Sequence, residues 1–199
     1  SEILPESEEF TINTLLPALA KGGFISESEK MEVSEKMAFY SGLSQKVILQ
    51  NNLDLTNSFF WKELLRDETG QTIGRLDSRY LGIDKKESGD KPDYSAELTS
   101  WLHSFTPAIN HYIKSELNFK TDLKYNMFGS VQPWNNEGDN TRDDLRLAMA
   151  QNPYLKVLNQ SGYYDGATTY FNAKYTLSQI DPSGKMKERF HFKGYRSGH

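Results

Sequence analysis

Two apolar-rich stretches late in the chain, "YLKVLNQSGYY" from Tyr154 and "ERFHFKGY" from Glu188, constrain the fold more than any other feature. Between them lies "TTYFNAKYTLSQI", which reads as a helix. A strand, a covering helix and a second strand make the unit of a parallel sheet, because parallel neighbours need a long crossover and usually a helical one. A helix start at Thr141-Arg142-Asp143-Asp144 precedes this unit, with Leu145, Ala148 and Met149 on one face. The series is helix-strand-helix-strand, and the fold class is α/β. Two parallel strands do not make such a sheet alone, so further strands are expected from elsewhere. The chain is accordingly expected to be the back part of a larger protein that stops at His199.

The first two thirds read as helices. Phe10, Ile12, Leu15, Leu16 and Leu19 fall near one helical face, and Gly22-Gly23 ends that run. Ser26-Glu27-Ser28-Glu29 has capping-box spacing, and the helix behind it carries Met31 and Met37 and ends near Gly42. A third helix is expected from about Thr56 to Asp67, with Gly70 beyond it. In "DYSAELTSWLHSFTPAINHYIKSEL", Leu98, Trp101, Leu102, Phe105, Ile109, Tyr112 and Ile113 step by three and four. Pro107 has no N–H to close a turn, so a kink or restart is expected at Thr106-Pro107. The polar segments Lys85 to Asp93 and Gln132 to Asn140 read as loops.

Composition removes several classes of function. With 25% charged residues and a net charge of −4, nothing in the electrostatics points to nucleic acid. No run approaches the roughly 18 apolar residues of a membrane helix, and Ser1 to Glu6 lacks the basic start and apolar run of a signal peptide. The chain has no cysteine, which excludes disulfides, thiolate metal sites and a cysteine nucleophile within it.

In open α/β sheets the working residues gather past the carboxyl ends of the strands. Asp165 follows the first strand and His199 the second, 34 residues later, which leaves room for one helix and one strand. An acid and then a histidine is the order Ser…Asp…His with its first member missing. Histidine would move a proton between a hydroxyl and a leaving group, and a carboxylate would fix its tautomer and stabilise the imidazolium. Asp165 before a glycine also reads as a turn or cap residue, and a terminal histidine has its own ordinary explanations.

"NPYLKVLNQSGYYDGATTYFNAKYTL", "FKGYRSGH", "GRLDSRYLG" and "DLRLAMAQNP" together resemble the end of bacterial serine carboxypeptidase-like proteins, the S10 peptidase family. The resemblance covers most of the chain and is densest from Leu145 to His199. It implies that Asp165 and His199 are the triad acid and base of an α/β-hydrolase. It also implies a helical lid over residues 1–130, with 131–199 forming the last part of the core, and favours a periplasmic or secreted location. The expected substrate is a peptide, cleaved at its C-terminal bond through an acyl-enzyme, with no metal or organic cofactor. No Gly-x-Ser-x-Gly elbow occurs here, so the serine is expected upstream and the chain alone is expected to be inactive. An esterase or acyltransferase of the same architecture, and a non-catalytic helical interaction module, are the alternatives. The free sheet edges are expected to be covered by a second copy, as a homo-oligomer, or by lid helices.

Other side chains read as structural. His103 and His111 lie about two helical turns apart, not the four residues that suit a zinc pair. His191 reads as a strand-face residue, and Trp61, Trp101, Phe59 and Phe60 as helix core or pocket lining. Asp77 and Arg79 read as an ion pair or as groups facing a substrate cleft, and one of Tyr163 and Tyr164 as facing the site. Asn159-Gln160-Ser161 matches a glycosylation acceptor, discounted because its strand is expected to be buried.

Overall fold

A helical cluster comes first in the chain, and the computed structural model describes residues 3–127, 129–139 and 141–199. Asn140, at the end of the second predicted loop, lies outside the described residues, as do Ser1 and Glu2. About half of the described residues are helical, and two small sheets occur among them. Helix α1 (Ile3–Phe10) runs through a π turn, Thr11–Leu15, into α2 (Leu16–Lys21). A π turn spends more residues per revolution than an α turn. The apolar face therefore shifts: Phe10, Leu15, Ala18 and Leu19 meet the core, whereas Ile12 and Leu16 of the predicted stripe stay exposed.

Helix α3 (Glu27–Ser41) begins as its cap predicts, with the Ser26 hydroxyl accepting the Glu29 N–H at 3.2 Å, and ends at Gly42 with φ 77°. The Glu29 carboxylate does not reach back; Lys21 takes it at 2.6 Å. Ser44 caps α4 (Gln45–Gln50) and Thr56 caps α5 (Asn57–Glu63) in the same way. Val33, Leu43, Ile48 and Leu53 complete the buried cluster with Phe10 and Ala18.

The single helix predicted from Thr56 to Asp67 is two pieces, α5 and α6 (Arg66–Thr69), and Gly70 closes the second with φ 67°. The break has a tertiary cause. Lys62 is buried and donates to Asp84 and to the Lys86 carbonyl, both at 2.5 Å, while Leu65 turns out of helical geometry to bridge Gln71. After it come β1 (Thr72–Ile73) and β2 (Leu81–Gly82), an antiparallel pair enclosing Gly74 to Tyr80.

Helix α7 (Leu98–Ser115) passes through Pro107 without the predicted restart. The carbonyl that Pro107 leaves without a donor belongs to His103, which is exposed, so water can satisfy it. No residue of α7 is buried, and Leu102, Phe105 and Tyr112 remain exposed. Its first turn is held by Trp101, edge-on to Tyr80 with ring centroids 6.0 Å apart.

Helix α8 (Thr141–Gln151) starts where its acidic first turn predicts. Arg189 closes its other end by donating to the carbonyls of Met149, Asn152 and Pro153. Strands β3 (Val157–Gly162) and β4 (Phe190–Tyr195) then pair in parallel, in register from Val157↔Phe190 to Gly162↔Tyr195, with α9 (Tyr170–Ser178) between them in sequence. The expectation of a buried β3 fails, because among the described residues each strand has a partner on one side only. Leu158 is 57% exposed and Gln160 is exposed too, so burial gives no reason to discount the acceptor at Asn159.

Candidate active site

The parallel pairing continues past β3. The Tyr163 N–H donates to the Tyr195 carbonyl and the Tyr164 N–H to that of Ser197, so the acid turn and the last residues advance together. Asp165 N–H then bonds the Gly162 carbonyl at 3.3 Å, which closes the turn and presents the side chain. Its oxygen Oδ1 accepts the N–H groups of Ala167 at 2.8 Å and Thr168 at 3.0 Å. Its oxygen Oδ2 accepts the Thr168 hydroxyl at 2.5 Å and lies 2.9 Å from His199 Nδ1. Both local readings of Asp165 are thus realised, one at each oxygen: Oδ1 caps the turn and Oδ2 faces the histidine.

An ionised carboxylate only accepts, so the proton on the Asp165–His199 line belongs to Nδ1. In the neutral ring the other nitrogen, Nε2, carries the lone pair. The Asp165 side chain is 5% exposed and that of His199 52% exposed, so the carboxylate is enclosed and the imidazole faces outward. Burial pushes the Asp165 carboxyl up, but the hydrogen bonds from Thr168, His199 and Ala167 outweigh it and hold the group below the usual carboxylate range.

The segment between β1 and β2 braces this couple. The Arg75 carbonyl accepts Gly166 N–H at 2.9 Å, Ser78 N–H donates to the Tyr164 carbonyl at 2.8 Å, and the Leu76 carbonyl accepts His199 N–H at 2.8 Å. Asp77 is buried and forked by Arg79, at 2.9 Å from Nε and 2.6 Å from Nη2, and the guanidinium lies 4.8 Å from the Tyr164 ring centre. Asp77 and Arg79 form an ion pair, and Arg79 holds the Asp77 carboxyl below its usual range. Gly198 packs directly on this segment: a Cβ there would lie 2.6 Å from both the Leu76 carbonyl oxygen and Asp77 Cβ.

Trp61 abuts the acid turn, since a Cβ at Gly166 would meet its Nε1 at 2.5 Å, while Phe60 packs on the helical core. Trp101 stays with Tyr80 and Phe105 on the hairpin side. Tyr164 lies under Arg79 and Tyr163 is exposed. His103, His111 and His191 are exposed and take no part in the couple; among the described residues no cluster of three His, Asp or Glu is arranged to hold a metal ion. No helix among the described residues is long and apolar enough to cross a membrane. A groove of about 410 Å³ between α1 and α9, lined by Glu8, Ile12, Phe171 and Lys174, does not reach the couple. Sequence reasoning missed Thr168 and the brace. An Asp-x-x-Thr spacing at a turn was the available signal for Thr168.

The depressed carboxyls set a sign for the acid response. Unfolded, Asp165 and Asp77 bind protons near pH 4; folded, they hold on as carboxylates to lower pH. Their contribution to stability is therefore present above about pH 4 and lost as pH falls through the folded values. Thermal melts between pH 7 and pH 3 are expected to fall more steeply below about pH 4, and less steeply for Asp165→Asn; equal slopes would contradict this assignment.

Comparisons with protein-family profiles, with curated proteins and with solved structures found no match.

Proposed function

We propose that this chain supplies the acid and base of a serine carboxypeptidase-like hydrolase of α/β-hydrolase architecture. Residues 1–130 would form its helical lid and 131–199 the last part of its core. The observation that carries this reading is the Asp165–His199 contact of 2.9 Å past the carboxyl ends of two parallel strands. The nucleophilic serine comes from a segment upstream of residue 1, because no Gly-x-Ser-x-Gly occurs in the chain.

In this reading His199 Nε2 takes the proton of the serine hydroxyl as the serine oxygen bonds to the scissile carbonyl carbon. The histidine then gives that proton to the departing amine as the C–N bond breaks. Water, deprotonated by the same nitrogen, releases the acyl group and restores the serine. Asp165 keeps the tautomer correct and stabilises the imidazolium. The outer edges of β3 and β4 would be covered by strands of the missing core or by a second copy.

The test is release of the C-terminal residue from N-acylated dipeptides by the protein extended upstream, with ester and C-terminally amidated analogues alongside. Hydrolysis of the free acid and not the amide supports a carboxypeptidase. Turnover of esters alone supports an esterase or acyltransferase. The exposed Leu102, Phe105 and Tyr112 of α7 favour a second reading, a helical interaction module, which inertness toward all three substrates would promote.

A further inference from the structure

The brace from Arg75 to Ser78 touches both halves of the acid–base couple, so whatever fixes the brace also fixes their separation. Glu97 is that anchor. It is fully buried, and its carboxyl oxygen Oε1 accepts the Leu76 N–H at 3.0 Å. Its backbone is held independently, since the Glu97 carbonyl accepts the N–H groups of Ser100 at 3.1 Å and Trp101 at 3.0 Å at the start of α7. The carboxyl fits a notch at Gly74, where a Cβ would lie 2.3 Å from Oε2. Oε2 itself has no hydrogen-bond partner.

A buried polar oxygen without a partner is costly. Methionine has nearly the same length and would fill this space without stranding an oxygen, but it would strand the Leu76 N–H instead. What methionine cannot supply is an acceptor for Leu76. The Leu76 carbonyl is in turn the acceptor for His199 N–H at 2.8 Å, and this single residue connects Glu97 to the histidine backbone.

We infer that Glu97 is a positioning residue: it acts through Leu76 to hold His199 Nδ1 in line with Asp165 Oδ2. The inference rests on the acid–base reading of that pair. Loss of the Glu97 acceptor frees Leu76 to turn, and the histidine backbone moves with it, while the fold keeps its packing.

The experiment uses the 199-residue chain with ¹⁵N-labelled histidine. The readout is the low-field proton of Nδ1–H bonded to a carboxylate, followed beside thermal melts for Asp165→Asn, Glu97→Met, Glu97→Asp and Glu97→Gln. The signal is expected in the parent, absent in Asp165→Asn, kept in Glu97→Gln, and lost in Glu97→Met although that variant still melts cooperatively. Glu97→Asp, which withdraws the carboxyl by one methylene, is expected to lose it as well and serves if the methionine variant does not fold. A parent signal that vanishes in Asp165→Asn but survives in Glu97→Met or Glu97→Asp overturns the role of Glu97 alone. No signal in the parent, or one indifferent to Asp165→Asn, overturns the acid–base reading and this inference with it.

Discussion

Asp165→Asn, in the protein extended upstream, is expected to lower kcat/KM by about 10⁴-fold while leaving the fold intact. Asparagine keeps an acceptor for the N–H groups of Ala167 and Thr168, so the turn survives. Its amide places a donor where Oδ2 now faces His199 Nδ1 at 2.9 Å. Nδ1 must then accept, the ring proton moves to Nε2, and the nitrogen that should receive the serine proton is already occupied. The measurement is steady-state hydrolysis of the preferred dipeptide, with circular dichroism to confirm folding. A loss under about tenfold in a folded variant would mean that Asp165 is a turn cap and no more.

The second large effect is structural. Gly162→Ala is expected to destabilise the chain by roughly 3 kcal/mol or more, which lowers Tm by about 10 °C in a chain of this size. A Cβ on Gly162 would lie 2.3 Å from the carbonyl oxygens of both Ser197 and Gly198. These are backbone atoms, and the Ser197 carbonyl is tied to Tyr164 N–H at 3.1 Å, so neither can retreat without parting the β3 and β4 extensions. His199 would be displaced from Asp165 by the same movement. Gly23→Ala, where a Cβ meets nothing within 4 Å, is the control and is expected to be neutral. Equal melting curves for the two variants would show that the end of the chain does not pack as described.

The parallel pair was legible because each strand is an apolar stretch beside a helix long enough for a crossover, and Asp165 and His199 follow from counting to the ends of those strands. Helix starts were legible at Ser26 and Thr56, where a hydroxyl stands as cap, but not at Ser44, which caps α4 in the same way. The break between α5 and α6 was not, because a buried ion pair between Lys62 and Asp84, 22 residues apart, decides it. The two-residue strands β1 and β2 carry no alternation to detect. The brace between them works almost wholly through backbone carbonyls and N–H groups, which sequence does not distinguish. Glu97 escaped for a related reason. Its partner is a main-chain N–H 21 residues away, and a lone glutamate before a helix ordinarily signals nothing more than a favourable first turn.

The central claim is that Asp165 and His199 serve a serine nucleophile, and fluorophosphonate labelling read by mass spectrometry tests it most directly. The probe would be applied to this chain and to a product extended through the upstream coding sequence and past His199. The account predicts label on an upstream serine of the long form only, lost on replacing Asp165 or His199. No label on either form would contradict the hydrolase mechanism and put the helical interaction module in its place.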